Sequence, residues 1–167
     1  MTASRSSQAE MLRTVPAVGE EAPDFELVNQ YGEPVRLSAL RGRNVVLVFY
    51  PFAFSGICTG ELCEIRDNLA LFDDSNATVL GISVDSKFAQ RAYAEKEGYG
   101  FELLADFWPH GEVARQYGVF DAGTGMALRG TFIIDAAGII RYVVVNPRGQ
   151  ARDLAEYRNA LAGLGAD

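Results

Sequence analysis

Residues 44–50 read Asn-Val-Val-Leu-Val-Phe-Tyr, an unbroken run of β-branched, aliphatic and aromatic side chains after the first position. Successive side chains of a strand point to opposite faces, so a run without polar alternation is a strand buried on both. That requirement selects an α/β arrangement with layers on each side of a sheet, and it puts this strand in the middle. A membrane span is excluded: the apolar stretch Val45 to Phe54 is ten residues long and contains Pro51, whereas about 20 apolar residues are needed. With 167 residues, of which 49% are hydrophobic, one compact domain around one hydrophobic core is expected.

The rest of the chain supplies the partners of that strand. Asp24 to Leu37 flanks Asn29-Gln30-Tyr31-Gly32 and reads as a hairpin. Apolar residues at Cys58, Leu62, Ile65, Leu69 and Phe72 recur every three or four positions, which predicts an amphipathic helix over 57–72. Thr78 to Val84 is a second strand, parallel to the first. Ser86 is placed to cap a helix that Gly98 ends, and Gly111 to Tyr117 is a shorter helix. Thr131–Asp135 and Ile139–Val145 flank Ala136-Ala137-Gly138 as a second hairpin, and Asp153 to Leu164 closes the chain as a helix. This order resembles a thioredoxin-like fold, with a central mixed β-sheet flanked by helices. Residues 1–14, polar and without periodicity, are expected to lack fixed structure, and the domain is expected over 15–167.

Asp and Glu number 22 against 15 Lys and Arg, a formal charge of −7, and repulsion from phosphates works against nucleic-acid and anionic-membrane partners. The first twenty residues hold no apolar stretch of signal-peptide length, so a cytoplasmic protein is expected. No cofactor or metal is expected: there is one histidine, and the two cysteines lie five residues apart. Gly-rich phosphate loops, a G-x-S-x-G elbow and C-x-x-C are all missing from the sequence. His110 reads as a loop residue, and Phe107 and Trp108 as packing in the core or in a subunit contact.

The two thiols, Cys58 and Cys63, are therefore the place to look for chemistry. Cys58 follows the central strand and falls in the first turn of the next helix. Unpaired N–H groups and the positive end of the helix dipole favour a thiolate there. Position alone is equally consistent with Cys58 as a buried member of the apolar stripe.

The flanking residues tip this balance. Pro51-Phe-Ala-Phe-Ser55-Gly-Ile-Cys58 has the pattern P-x-x-x-S-x-x-C and resembles the active-site signature of the peroxiredoxins, thiol peroxidases without metal or haem. The likeness extends to Ala22-Pro23-Asp24-Phe25, the Val45–Tyr50 strand, Asp106-Phe107-Trp108-Pro109-His110-Gly111, and Arg129-Gly130-Thr131-Phe132-Ile133-Ile134-Asp135. Phe-Ser-Gly-Ile-Cys and Asp-Phe-Trp-Pro-His-Gly are most similar to the alkyl hydroperoxide reductase E type, usually one-cysteine enzymes. Cys63 departs from it: C-x-x-x-x-C resembles the bacterioferritin comigratory protein class, in which the second cysteine resolves the first.

The resemblance implies that Cys58 attacks a hydroperoxide and becomes a sulfenic acid, with hydrogen peroxide, alkyl hydroperoxides and peroxynitrite as substrates. It makes Arg129 the charged donor at the thiolate and peroxide oxygens, Ser55 a hydroxyl linking the two, and Pro51 a shield against water. It further implies Cys63 as resolving thiol, a homodimer, and reduction by thioredoxin or by a low-molecular-weight thiol acting with a glutaredoxin-like protein. Taken singly, Arg129 also fits a surface ion pair, Ser55 a helix N-cap, and Cys63 a spare thiol on the more polar face of the helix beside Arg66 and Asp67. A redox sensor or partner-binding protein on the same fold is the alternative function; steady peroxide turnover with added reductant separates the two.

Acidifying the thiol does not by itself give a fast peroxidase. A fall in thiol pKa from ~8.5 to ~6 raises the thiolate fraction near pH 7.4 roughly thirteenfold. The accompanying loss of nucleophilicity, with a slope of about 0.4–0.5, costs roughly tenfold. Rate must come mainly from fixed donors aimed at the charge that develops on the leaving oxygen.

Overall fold

The computed structural model describes residues 15–146 and 152–164, and at 57–59 the backbone alone. The stretch 1–14, expected to lack structure, lies outside the described residues. The apolar run forms β3 (Asn44–Phe49), buried from Val45 onward. It pairs in parallel with β4 (Ala77–Ser83) on one side and antiparallel with β8 (Arg129–Ile134) on the other. A hairpin of β1 (Glu26–Val28) and β2 (Pro34–Arg36), then β5 (Glu102–Ala105) and β9 (Ile140–Asn146) complete a seven-stranded mixed sheet ordered β2-β1-β5-β4-β3-β8-β9. Two short strands, β6 (Phe120–Asp121) and β7 (Met126–Ala127), pair separately. This is the thioredoxin-like arrangement expected from the element order. Among the described residues, no helix is long and apolar enough to cross a membrane.

Alternation along β3 explains its composition. Val45, Leu47 and Phe49 face one buried cluster with Phe25, Leu37, Tyr117 and Phe132. Val46, Val48 and Tyr50 face a second, with Leu62, Ile65, Tyr93, Tyr157 and Leu161. The core is thus two clusters divided by the sheet rather than one, and each fully buried side chain of this kind contributes about 1.5–3 kcal/mol.

The helices follow the sequence with one break. α1 (Gly56–Asp67) ends at Asn68, and α2 (Leu69–Asp74) starts after it, where one helix over 57–72 was expected. Asn68 explains the division: its side-chain Nδ2 donates to the Glu64 carbonyl at 2.8 Å, and its backbone N–H is shared between the Glu64 and Ile65 carbonyls. Such an amide competes with helix continuation. The apolar stripe survives, with Leu62, Ile65 and Phe72 buried. α3 (Lys87–Glu97) is capped by Ser86, whose hydroxyl accepts from the Ala89 N–H, and ends at Gly98 in the left-handed region at φ 69°. α4 (Glu112–Gln116) and α5 (Leu154–Leu164) match the two remaining expected helices.

β5 was not foreseen. It adds a third parallel strand beside β4 and is only four residues long. Phe107 and Trp108 do not pack in the core; they are 53% and 80% exposed. The residue before them, Asp106, is buried and caps α4, accepting from the Val113 and Ala114 N–H groups at 3.1 and 2.9 Å. Burial pushes its carboxyl up to about 6 in spite of those donors. His110 sits in a turn, exposed, with Nε2 2.7 Å from the Gly125 carbonyl.

Candidate active site

β3 delivers the chain to the site. Tyr50 still bonds to β4 through its N–H and the Ile82 carbonyl at 3.0 Å, and Pro51, which has no N–H to continue the ladder, turns the chain away. Pro51 is buried. Residues 51–55 then form a turn in which Phe54 takes a left-handed backbone at φ 68°. Ser55 stands at the N-cap of α1 with extended dihedrals, so the N-cap reading of its backbone is correct. Cys58 therefore lies in the first turn of α1, where orphan N–H groups cluster. Its side chain lies outside the described residues.

Glu61 is one turn further along the same helix. Positions three apart lie on one face of a helix, which puts Glu61 and Cys58 on the same stretch of the backbone of α1. It is buried between two buried arginines, with 7% exposure against 2% for Arg129 and 6% for Arg152. Arg129 Nη1 donates to Glu61 Oε1 in a short contact. The Arg152 backbone N–H and Nε donate to Oε2 at 2.7 and 2.8 Å, and its Nη2 reaches Oε1 at 3.3 Å. Arg152 is also fixed to the sheet: its Nη1 donates to the carbonyls of Phe49 and Gly130 and to Thr131 Oγ1 at 2.7, 3.0 and 3.1 Å. Thr131 Oγ1 lies 2.6 Å from the Tyr157 hydroxyl.

The strand register puts Arg129 where it is. Val48 faces Thr131, and the same antiparallel register carried two residues further sets Arg129 opposite Tyr50, next to Pro51. Arg129 is thus in an ion pair, as one reading had it, but a buried one rather than a surface one. Two guanidiniums, which stay protonated, share one carboxylate, so this buried group carries a net positive charge among the described residues. A thiolate is favoured beside such a group.

Glu61 and Arg152 were not picked out from the sequence. Glu61 carried a faint signal: an acidic residue next to Leu62 on a buried stripe, three positions after Cys58. Arg152 carried none.

Cys63 lies where the polar face of α1 meets the core. Partly buried, it packs against the second core cluster, with Sγ 3.5 Å from Glu97 Oε2 and 3.7 Å from the Tyr99 hydroxyl. Arg66 does lie near, donating to the Glu97 carbonyl at 2.5 Å and to Asp67 at 2.9 Å. Among the described residues, no three of His, Cys, Asp and Glu are grouped as metal ligands.

The model of the AhpC/TSA family matches residues 18–143, a span that contains Pro51, Cys58, Glu61, Cys63 and Arg129. The chain belongs to the AhpC/TSA family. It is 46% identical over 150 residues to an alkyl hydroperoxide reductase E of Mycobacterium tuberculosis, covering 89% of this chain and 98% of that one. It is 36% identical over 168 residues to a human mitochondrial thioredoxin-dependent peroxide reductase, covering 92% of this chain and 65% of that one. Among solved structures it is similar to the peroxidoxin BcpB of Mycobacterium tuberculosis, with a TM-score of 0.77, 37% identity and coverage of 89% and 96%. It is also similar to a reduced 2-Cys peroxiredoxin of Plasmodium vivax, with a TM-score of 0.78, 29% identity and coverage of 88% and 81%. The family read from the P-x-x-x-S-x-x-C signature, and its likeness to the reductase E type, both stand. This AhpC/TSA member is a peroxiredoxin, a thiol-dependent peroxidase.

Proposed function

We propose that this peroxiredoxin reduces hydroperoxides at Cys58. The Cys58 thiolate attacks one peroxide oxygen, the O–O bond breaks, and the other oxygen leaves with a proton as water or an alcohol, while the sulfur becomes a sulfenic acid. Arg129 supplies N–H donors to the charge developing on the leaving oxygen, Ser55 a hydroxyl that accepts from one group and donates to another, and Pro51 a wall without a competing N–H. The observation that carries this reading is the buried Glu61 carboxylate, which ties Arg129 to the helix on which Cys58 sits. A planar, permanently charged donor fixed before the substrate arrives is what peroxide bond cleavage requires.

Cys63 resolves the sulfenic acid: its sulfur attacks Cys58 Sγ, water leaves, and a disulfide forms that an external dithiol of the thioredoxin kind, or a low-molecular-weight thiol with a glutaredoxin-like protein, then reduces. Five residues along a helix is a rise of about 7.5 Å and a turn of about 140°. Disulfide formation needs Cα atoms within about 7 Å, so α1 must unwind between the two thiols. Gly56 and Gly60 lower its helix propensity there. The exposed Phe107 and Trp108 support a homodimer, in which a second copy covers this turn.

Intact mass after one equivalent of hydrogen peroxide tests the scheme. Loss of two hydrogens, with peptide mapping to Cys58–Cys63, is the expected result. Gain of one oxygen at Cys58 removes Cys63 from the cycle, and unreacted Cys58 in an enzyme that consumes peroxide overturns the whole assignment.

A further inference from the structure

Asp85, between the end of β4 and the start of α3, reaches across to the turn that precedes α1. Its Oδ2 accepts from the Ala53 N–H at 2.8 Å and from the Ser83 hydroxyl at 2.6 Å. The Ser83 oxygen accepts in turn from Gln90 Nε2 at 2.9 Å and from the Asp85 N–H at 3.3 Å. Gln90 Nε2 also donates to the Leu104 carbonyl at 2.9 Å, and its Oε1 accepts from the Tyr50 hydroxyl in a short contact. Ser83, Gln90 and Tyr50 are all buried. A continuous line of hydrogen bonds therefore runs from β5, through the interior, to one backbone amide in the turn.

That turn needs holding. Phe54, next to Ala53, sits in the left-handed region at φ 68°, a conformation that a residue with a Cβ avoids unless its surroundings impose it. Phe52 and Phe54 are 38% and 49% exposed, and Phe54 leans on Tyr93 with ring centroids 4.9 Å apart. Apolar packing over these residues is thus incomplete, while the Asp85 bond is anchored in the core. Ala53 is two residues before Ser55 and five before Cys58, so a shift of its amide moves both the N-cap and the first turn of α1.

We infer that Asp85 is a positioning residue for peroxide reduction: by gripping the Ala53 amide it fixes the strained turn that sets Ser55 and the first turn of α1 against Arg129. The inference rests on Cys58 as the attacking thiol. Displacement of reacting groups by about 1 Å costs up to roughly a hundredfold in rate, whereas simple alkylation of a thiolate makes no use of Ser55 or Arg129. The two reactions should therefore respond differently to loss of the grip.

The experiment compares, in the full-length reduced protein, the rate constant for hydrogen peroxide with that for iodoacetamide at Cys58, the latter followed by peptide mass mapping. Asp85→Ala is expected to lower the peroxide-to-alkylation ratio about tenfold or more, and Asp85→Asn, which keeps an oxygen acceptor in place, to restore it to within about threefold of the parent. A ratio in folded Asp85→Ala that falls by less than about fivefold overturns the inference, as does a common fall of both rates. Should Asp85→Ala not fold, Ser83→Ala, which removes the hydroxyl that donates to the carboxylate and accepts from Gln90 and the Asp85 N–H, takes its place under the same criterion. Failure of the Cys58 assignment shows separately, as a parent protein that consumes peroxide while Cys58 stays fully alkylatable.

Discussion

Replacing Glu61 by Gln separates two explanations of a fast thiol, acidity and preorganisation, because the two predict opposite things. The carboxylate now accepts from Arg129 and three times from Arg152. An amide keeps one oxygen but turns an NH2 toward donors, so two buried guanidiniums lose the carboxylate they share. Breaking a buried ion pair from one side costs about 3–5 kcal/mol, which for a chain of this size is a fall in Tm of about 6–20 °C. The net charge of the buried group rises by one. For a thiolate about 8 Å away and an effective dielectric of about 20, one unit of charge is worth about 2 kcal/mol, or roughly 1.5 pH units. The thiol is therefore more acidic in the variant. Arg129, however, loses the partner that aims it, and loss of one well-placed donor costs about a hundredfold or more in rate. The expected result is a lower pH midpoint for alkylation of Cys58 together with a peroxide kcat/KM reduced by at least about tenfold. Stopped-flow kinetics and alkylation across pH read the two quantities independently. A variant that is more acidic and equally fast or faster with peroxide would refute preorganisation as the source of rate.

Arg129→Lys keeps the charge but loses the planar fork of donors, of which Nη1 meets Glu61, and kcat/KM for peroxide should fall by about tenfold or more; a parental value would show that any cation serves. Cys63→Ser should consume the first equivalent of peroxide at the parental rate, then recycle poorly with thioredoxin and overoxidise more readily to the sulfinic acid, as read by intact mass. Unchanged recycling would assign resolution to an external thiol. Asp106, whose carboxyl is raised from 3.8 to about 6 chiefly by burial, binds its proton more tightly folded than unfolded. Its contribution to stability is complete below pH 3.8 and is lost as pH rises through about 6, a change on the order of 3 kcal/mol. Urea unfolding between pH 4.5 and 7.5 should show that fall in the parent and a flatter profile in Asp106→Asn; equal slopes would remove Asp106 from the pH dependence.

Where burial on both faces or a repeating stripe dictates a pattern, the elements were legible: β3, β4, the two main hairpins and α3 with its Ser86 cap all follow from local chemistry. β5 escaped because four residues with Leu103 and Leu104 side by side show neither alternation nor length. The break at Asn68 escaped because the apolar spacing continues across it, and only the competition of its side chain for a backbone carbonyl ends the helix. At the candidate site, Pro51, Ser55, Cys58 and Arg129 were singled out through the motifs they belong to, and the fold brings the turn after β3, the start of α1 and the start of β8 together. Glu61 and Arg152 were not, because their partners lie 68 and 91 residues away in sequence. Which charges meet in the interior is decided by strand register, and no local pattern encodes that.

Glu61 sits between Cys58 and Cys63 on one helix. Any unwinding that lets the two thiols meet must carry the carboxylate away from Arg129 and Arg152. The proposed cycle then contains an interlock: the form that joins Cys58 to Cys63 is one in which Arg129 has lost its hold on Glu61, and the form in which Glu61 holds Arg129 keeps α1 wound between the two cysteines. A second peroxide is met by the sulfenic acid only while α1 stays wound. The balance between one damaging oxidation and a completed cycle is then set by the stability of about two turns of helix, and the Glu61 clamp, by favouring the wound form, trades speed of attack against the risk of overoxidation.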